Sequence, residues 1–134
     1  WSSDVCSSDL LCVADYLDAL QWMDSLGGVQ ATIAKSQANL KVIADFVAAN
    51  DWISFLAKSP QTRSNTSVCL SLELSEAQIK QMVTLLDTEG VAYDIGAYKD
   101  APPGLRIWCG ATVEAADLEA LMPWLTWAYH AVQT

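Results

Sequence analysis

Positive charge is scarce in this chain, and that excludes one class of partner at once. Arg63 and Arg106 are the two arginines and His130 the one histidine, and with 16 acids against seven lysines and arginines the net charge is −9. A protein that neutralises a phosphate backbone needs a basic stripe. None can be assembled here, so nucleic acid is not an expected partner. Long apolar runs are also missing. None approaches the roughly 20 residues of a membrane span, and the first residues lack the basic-then-apolar order of a secretory signal. The expectation is a soluble, cytoplasmic domain that does not engage a membrane. Cys6, Cys12, Cys69 and Cys109 are scattered without a CxxC pair, and with a single histidine they make no zinc pattern, so no metal is expected. Apolar neighbours make Cys12, Cys69 and Cys109 read as small core residues of a reducing compartment. There is no GxGxxG, no Walker loop and no GxSxG.

What is present is a globular composition: 134 residues, 52% of them hydrophobic, with six tryptophans. That is one domain, long enough to bury a core. Residues 1–10 differ from the rest. They repeat Ser-Ser-Asp, carry no helical or strand period, and DVCSSDL resembles a translated sequencing adapter. They read as non-native sequence or as a flexible terminus, with no function expected, and 11–134 as the domain proper.

From Leu11 the spacing of Val13, Tyr16, Leu17, Leu20 and Met23 predicts an amphipathic helix, stopped by Gly27-Gly28. A second helix carries Val29, Ile33, Leu40, Ile43 and Val47 on one face and ends near Asn50. Trp52 to Leu56 reads as a brief strand, Pro60 to Asn65 as a polar connection, and Ser67 to Leu74 as an alternating, half-buried strand. Ser75-Glu76-Ala77-Gln78 is a capping box opening a helix with Ile79, Met82, Val83 and Leu86 on its apolar face. Val91 to Tyr98 reads as a strand interrupted at Gly96, and Leu105 to Cys109 as another. Ala101 to Gly104 must be a loop, since proline has no N–H for a ladder. Thr112 can cap a last helix, with Leu118, Leu121, Met122, Leu125 and Ala128 facing inward and a kink or restart at Pro123. This order predicts an α+β fold, with helices on one face of a small, largely antiparallel sheet.

No constellation of nucleophile and base stands out. His130 reads as a solvent-facing histidine, and the acid pairs Asp15/Asp18 and Glu114/Asp117 as solvated faces or first-turn charges. Two places invite chemistry. Arg63-Ser64-Asn65-Thr66-Ser67 enters a strand, and in Gly104-Leu105-Arg106-Ile107-Trp108-Cys109-Gly110 an arginine sits amid apolar residues. A partly buried guanidinium needs an acid or an anionic ligand, and its planar fork fits a carboxylate. Its partner is either a local acid such as Asp94 or Asp100, or a ligand; spacing alone leaves both open.

Three runs resemble the small domain of the phosphoserine aminotransferase family: LCVADYLDALQWMDSLGGV, RSNTSVCL and GVAYDIGAYKDAPPGLRIWCGATVEAADLEALMPWLTWAY. The likeness covers Leu11 to Tyr129 in order, is greatest to a bacterial subgroup, and is most specific in the last run. It implies the C-terminal small, substrate-binding domain of a fold-type I, homodimeric enzyme dependent on pyridoxal 5′-phosphate (PLP). That enzyme transfers an amino group from glutamate to 3-phosphohydroxypyruvate in serine biosynthesis, with a related activity on a phosphorylated intermediate of pyridoxine synthesis. It further implies that Arg106 holds the substrate α-carboxylate. Where other family members carry a histidine-arginine pair for the substrate phosphate, this chain has Pro102-Pro103-Gly104-Leu105. Lys99 is the nearest cation and a candidate for that role, and Arg63 matches an arginine opening the corresponding strand. The Schiff-base lysine and the rest of the cofactor site belong to the family's large domain, so neither catalytic nor cofactor-binding residues are expected here and the segment alone should be inactive. The alternatives are an independent, ACT-like amino-acid-binding regulatory module, in which Arg106 holds an amino-acid carboxylate without PLP, and a structural dimerisation domain.

Overall fold

Alternation in Ser67–Leu72 sets up the architecture. Successive strand side chains point to opposite faces, and here Val68 and Leu70 are buried while Ser67, Cys69 and Ser71 are not. The computed structural model describes residues 7–133. In it this segment, β2, is the centre of a three-stranded antiparallel sheet, with β1 (Ile53–Phe55) and β3 (Leu105–Trp108) at its edges. The register pairs Val68 with Ile107, Leu70 with Leu105 and with Phe55, and Leu72 with Ile53. Directly opposed residues share a face, so one face is apolar. The other carries Ser54, Ser67, Cys69, Ser71, Arg106 and Trp108.

The helices are α1 (Ser7–Ser25), α2 (Gly28–Ala48), α3 (Glu76–Thr88) and α4 (Ala115–Ala131). The predicted α+β class, helices on a small antiparallel sheet, is the observed one. Ile43 of α2, Met82 and Leu86 of α3, and Leu118, Met122, Leu125 and Ala128 of α4 join Val68, Leu70, Leu105 and Ile107 in one buried cluster. Each of these side chains larger than alanine contributes about 1.5–3 kcal/mol when removed from water. The Ser75 box opens α3: Ser75 Oγ accepts from Gln78 N–H, and Gln78 Oε1 accepts from Ser75 N–H at 3.0 Å. After α3, Gly90 takes a φ of +68°, the left-handed stop that glycine allows.

Contacts divide the chain into two units, residues 1–34 and 35–134. In the first, α1 displays Leu10, Leu11, Val13, Tyr16 and Leu17, all more than half exposed. The sheet, α3 and α4 lie in the second.

Several expectations are corrected. The Ser-Ser-Asp segment was expected to lack helical order, yet Ser7 to Leu10 begin α1; residues 1–6 lie outside the described residues. Val91 to Tyr98 does not form a strand. Asp94, at φ +52°, turns the chain out of extended geometry, and only a bridge from Gly96 to Leu105 remains. Thr112 does not cap α4. Glu114 is its N-cap, and the Thr112 hydroxyl accepts a bond from Trp108 Nε1 at 3.3 Å. The last helix does not restart at Pro123 but runs unbroken through it. Pro123 and Glu119, whose carbonyl loses its partner there, both lie on the exposed face, where water can serve that carbonyl. Cys12 is exposed on α1 rather than in a core; Cys69 is half-buried and Cys109 buried.

Candidate functional site

Arg106 owes its position to the strand period. Leu105 and Ile107 point into the core, so Arg106 between them must emerge on the polar face, opposite Cys69. It lines an open cavity of about 470 Å³, together with Ser67, Asp94, Trp108 and Asp117. Its Nη2 donates to Asp94 Oδ2 at 2.8 Å and to the Asp94 carbonyl at 3.2 Å. The Tyr98 ring lies against the guanidinium, 4.6 Å from Cζ to the centroid, and the Tyr98 and Ser67 hydroxyls share a 3.1 Å hydrogen bond. The Arg106 Nε is buried and has no hydrogen-bond partner among the described residues. Tyr98, then Asp94, hold the guanidinium even more firmly protonated than usual. The hydrogen bond to Ser67, then the nearby Arg106, hold the Tyr98 phenol below its ordinary range. Of the two local acids that could partner Arg106, it is Asp94.

The loop after β3 is fixed by a residue that periodicity did not single out. Asn39 of α2 is 1% exposed, and its Nδ2 donates to the carbonyls of Val113 (2.9 Å), Cys109 (3.2 Å) and Gly110 (3.2 Å). Three acceptors share two protons, so at least one bond is bifurcated. The available signal was an asparagine four residues before the core residue Ile43, on the inward face of an amphipathic helix. Gly104 is fixed by contact on the other side of the site, since a Cβ there would lie 2.1 Å from the Leu70 carbonyl oxygen.

The other candidate residues lie elsewhere. Arg63 donates from Nε to Ala57 O at 3.1 Å and from Nη2 to Lys58 O at 3.3 Å, and it lies over the Phe55 ring at 4.1 Å. Its guanidinium is engaged in closing the 57–63 turn. Lys99 is exposed and lines a different cavity, of about 620 Å³, between α3 and the 96–104 loop. That cavity is larger than the one at Arg106, and its Glu76 and Lys80 are paired with each other at 2.6 Å. Arg106 is likewise paired, with Asp94 at 2.8 Å, but of the two sites it alone presents a planar fork suited to a carboxylate. The structure does not bring Lys99 or Arg63 into the Arg106 cavity. His130 is exposed, with its ring edge-on to Tyr129.

The lysines present do not fit a Schiff-base cofactor. Lys35, Lys41 and Lys80 are each ion-paired, to Glu114, Asp45 and Glu76, and none of the five lysines is buried. Among the described residues no cluster of histidines, cysteines and acids could hold a metal, and no helix is long and apolar enough to cross a membrane. The arrangement can bind and orient a small anion.

Fold and site together define an α+β lobe, helices on a three-stranded antiparallel sheet, with one arginine on the sheet's polar face. More particularly, the chain is homologous to a segment of the phosphoserine aminotransferases. Over 131 residues, 98% of its length, it is 48% identical to the phosphoserine aminotransferase of Methanosarcina mazei and 47% identical to that of Methanosarcina barkeri. It spans 35% of the length of each. No family model matches. The fold is shared with the phosphoserine aminotransferase of Bacillus circulans subsp. alkalophilus (TM-score 0.73, 19% identity, 83% of this chain and 30% of that one). It is also shared with a phosphoserine aminotransferase solved in work on radiation damage of its Schiff base (TM-score 0.72, 20% identity, 83% of this chain and 30% of that one).

Proposed function

We propose that residues 11–134 are the substrate-binding small domain of a phosphoserine aminotransferase and that Arg106 holds the substrate's α-carboxylate. The observation that carries this reading is the 48% identity along nearly the whole chain, joined to an arginine that the strand period delivers to an open cavity. The parent enzyme would move an amino group from glutamate to 3-phosphohydroxypyruvate, giving 2-oxoglutarate and phosphoserine, in the cytoplasm and as a homodimer. PLP supplies the electron sink for such a transfer. Because the lysines here do not suit it, the proposal puts the cofactor on the remainder of the parent, and the 134-residue chain alone is inactive.

This chain's own part is to bind and orient. A guanidinium on a strand is a rigid fork that grips a carboxylate through two parallel hydrogen bonds. Held there, the substrate has fewer orientations to lose before reaction. Lys99 and Arg63 line other cavities, so the carboxylate is assigned to Arg106 alone and the substrate phosphate to no residue of this chain.

The test is Arg106→Lys in the full-length protein that carries these residues. Lysine keeps the charge but loses the fork, so KM for glutamate and for phosphoserine should rise about tenfold or more. An unchanged KM for both would overturn the assignment. Transamination by the isolated 134-residue chain with added PLP would overturn the division of labour, and glutamate binding to that chain without PLP would favour the amino-acid-binding module.

A further inference from the structure

A carboxylate already occupies part of Arg106, and it is held less firmly than anything else around the guanidinium. Asp94 meets Nη2 twice, through its carbonyl and through its side-chain Oδ2. The carbonyl belongs to main chain that is fastened to β3, where Arg106 N–H donates to Ile95 O at 2.8 Å. The side chain is different: it is 91% exposed, so water can take over its oxygens as soon as it swings away. The remaining support does not depend on it. Tyr98 lies against the guanidinium and is tied to Ser67, contacts in which the Asp94 carboxylate takes no part.

The pairing is also incomplete. A carboxylate ligand can make two parallel bonds to the fork; the Asp94 carboxylate makes one, to Nη2. The left-handed φ of +52° at Asp94, uncommon outside glycine but tolerated by Asp and Asn, brings both its carbonyl and its carboxylate to the same nitrogen.

We propose that the Asp94 side chain is an internal stand-in for the substrate's carboxylate, holding Arg106 before substrate arrives and giving way to it, with Ser67 and Tyr98 as positioning residues. This rests on the reading of Arg106 as the carboxylate-binding residue. The exchange favours carboxylates that use two bonds of the fork over anions that use one. It also sets an affinity ceiling, since every ligand must displace Asp94.

The experiment is inhibition of the full-length enzyme by glutarate, which has the carboxylates of glutamate without a transferable group. Asp94→Asn removes the charge and keeps the left-handed backbone, so the inhibition constant should fall about two- to five-fold, the weight of one solvent-exposed ion pair. Asp94→Gly, which also accepts that φ, should give the same direction and serves if the first variant folds poorly. KM for glutamate should fall with it while kcat changes less, as for an interaction lost from the free enzyme. A constant that is unchanged or raised in both variants overturns the stand-in. The parallel Arg106→Lys variant separates the two readings: if it raises the constant while Asp94→Asn does nothing, only the present inference fails, and if neither variant has an effect, the carboxylate assignment fails as well.

Discussion

Replacing Asn39 by alanine removes the side chain through which α2 grips the main chain of the loop after β3. Its Nδ2 reaches three carbonyls, of which Gly110 O keeps a second partner, the Val113 N–H at 3.0 Å. The carbonyls of Cys109 and Val113 lose theirs. An unpaired buried polar group costs about 1–3 kcal/mol, and the Val113 carbonyl is only part-buried, so the two together should cost about 2–5 kcal/mol. At roughly 4 °C per kcal/mol for a domain of this size, the midpoint falls by roughly 8–20 °C, measurable by circular dichroism with urea titration as a check. Asn39→Asp adds a sign. A carboxylate facing carbonyl oxygens is penalised in the folded state, so its folded pKa rises above the unfolded value of about 3.9. The variant should then be closest to wild type below that unfolded value and lose stability as pH rises through its raised folded value. A loss under about 1 kcal/mol in the alanine variant, or an aspartate variant that gains stability relative to wild type with rising pH, would contradict this role for Asn39.

Two glycines should respond oppositely to a methyl group. Gly104→Ala drives a Cβ to 2.1 Å from Leu70 O and should cost about 3 kcal/mol or prevent folding, whereas Gly96→Ala, with nothing within 4 Å, should stay within about 1 kcal/mol of wild type, both by urea titration. Thiol reactivity should follow burial. Burial pushes the Cys109 thiol up to about 11, leaving on the order of one thiolate in a thousand at pH 8, so iodoacetamide mapped by mass spectrometry should label exposed Cys12 first and Cys109 only on unfolding. Rapid labelling of Cys109 in the native protein would contradict the packing.

Local periodicity carries far in this chain because exposure repeats with the geometry of the element. The three-and-four spacing of Leu118, Met122 and Leu125 places α4, Ser75 and Gln78 place the start of α3, and the alternation around Arg106 puts it on the polar side of β3 before any partner is known. Those features depend on neighbours within a few residues. The choice between Asp94 and Asp100 as the acid on Arg106 does not. Both lie near it in sequence, and the turn at Asp94, rather than a strand, decides it. The grip of Asn39 on a loop about 70 residues away, the shift of the α4 cap from Thr112 to Glu114 and the exposure of Cys12 are likewise tertiary outcomes. An amphipathic pattern says that a face is apolar, but only the packed fold says what, if anything, covers it. Local pattern thus accounts for the helices and the three strands that form, while the loss of the extended run expected over 91–98 and the helical start at Ser7 lay outside it. The tertiary structure decided what Arg106 touches, because hydrogen-bond partners are selected within about 3 Å by chain segments whose approach no local pattern encodes.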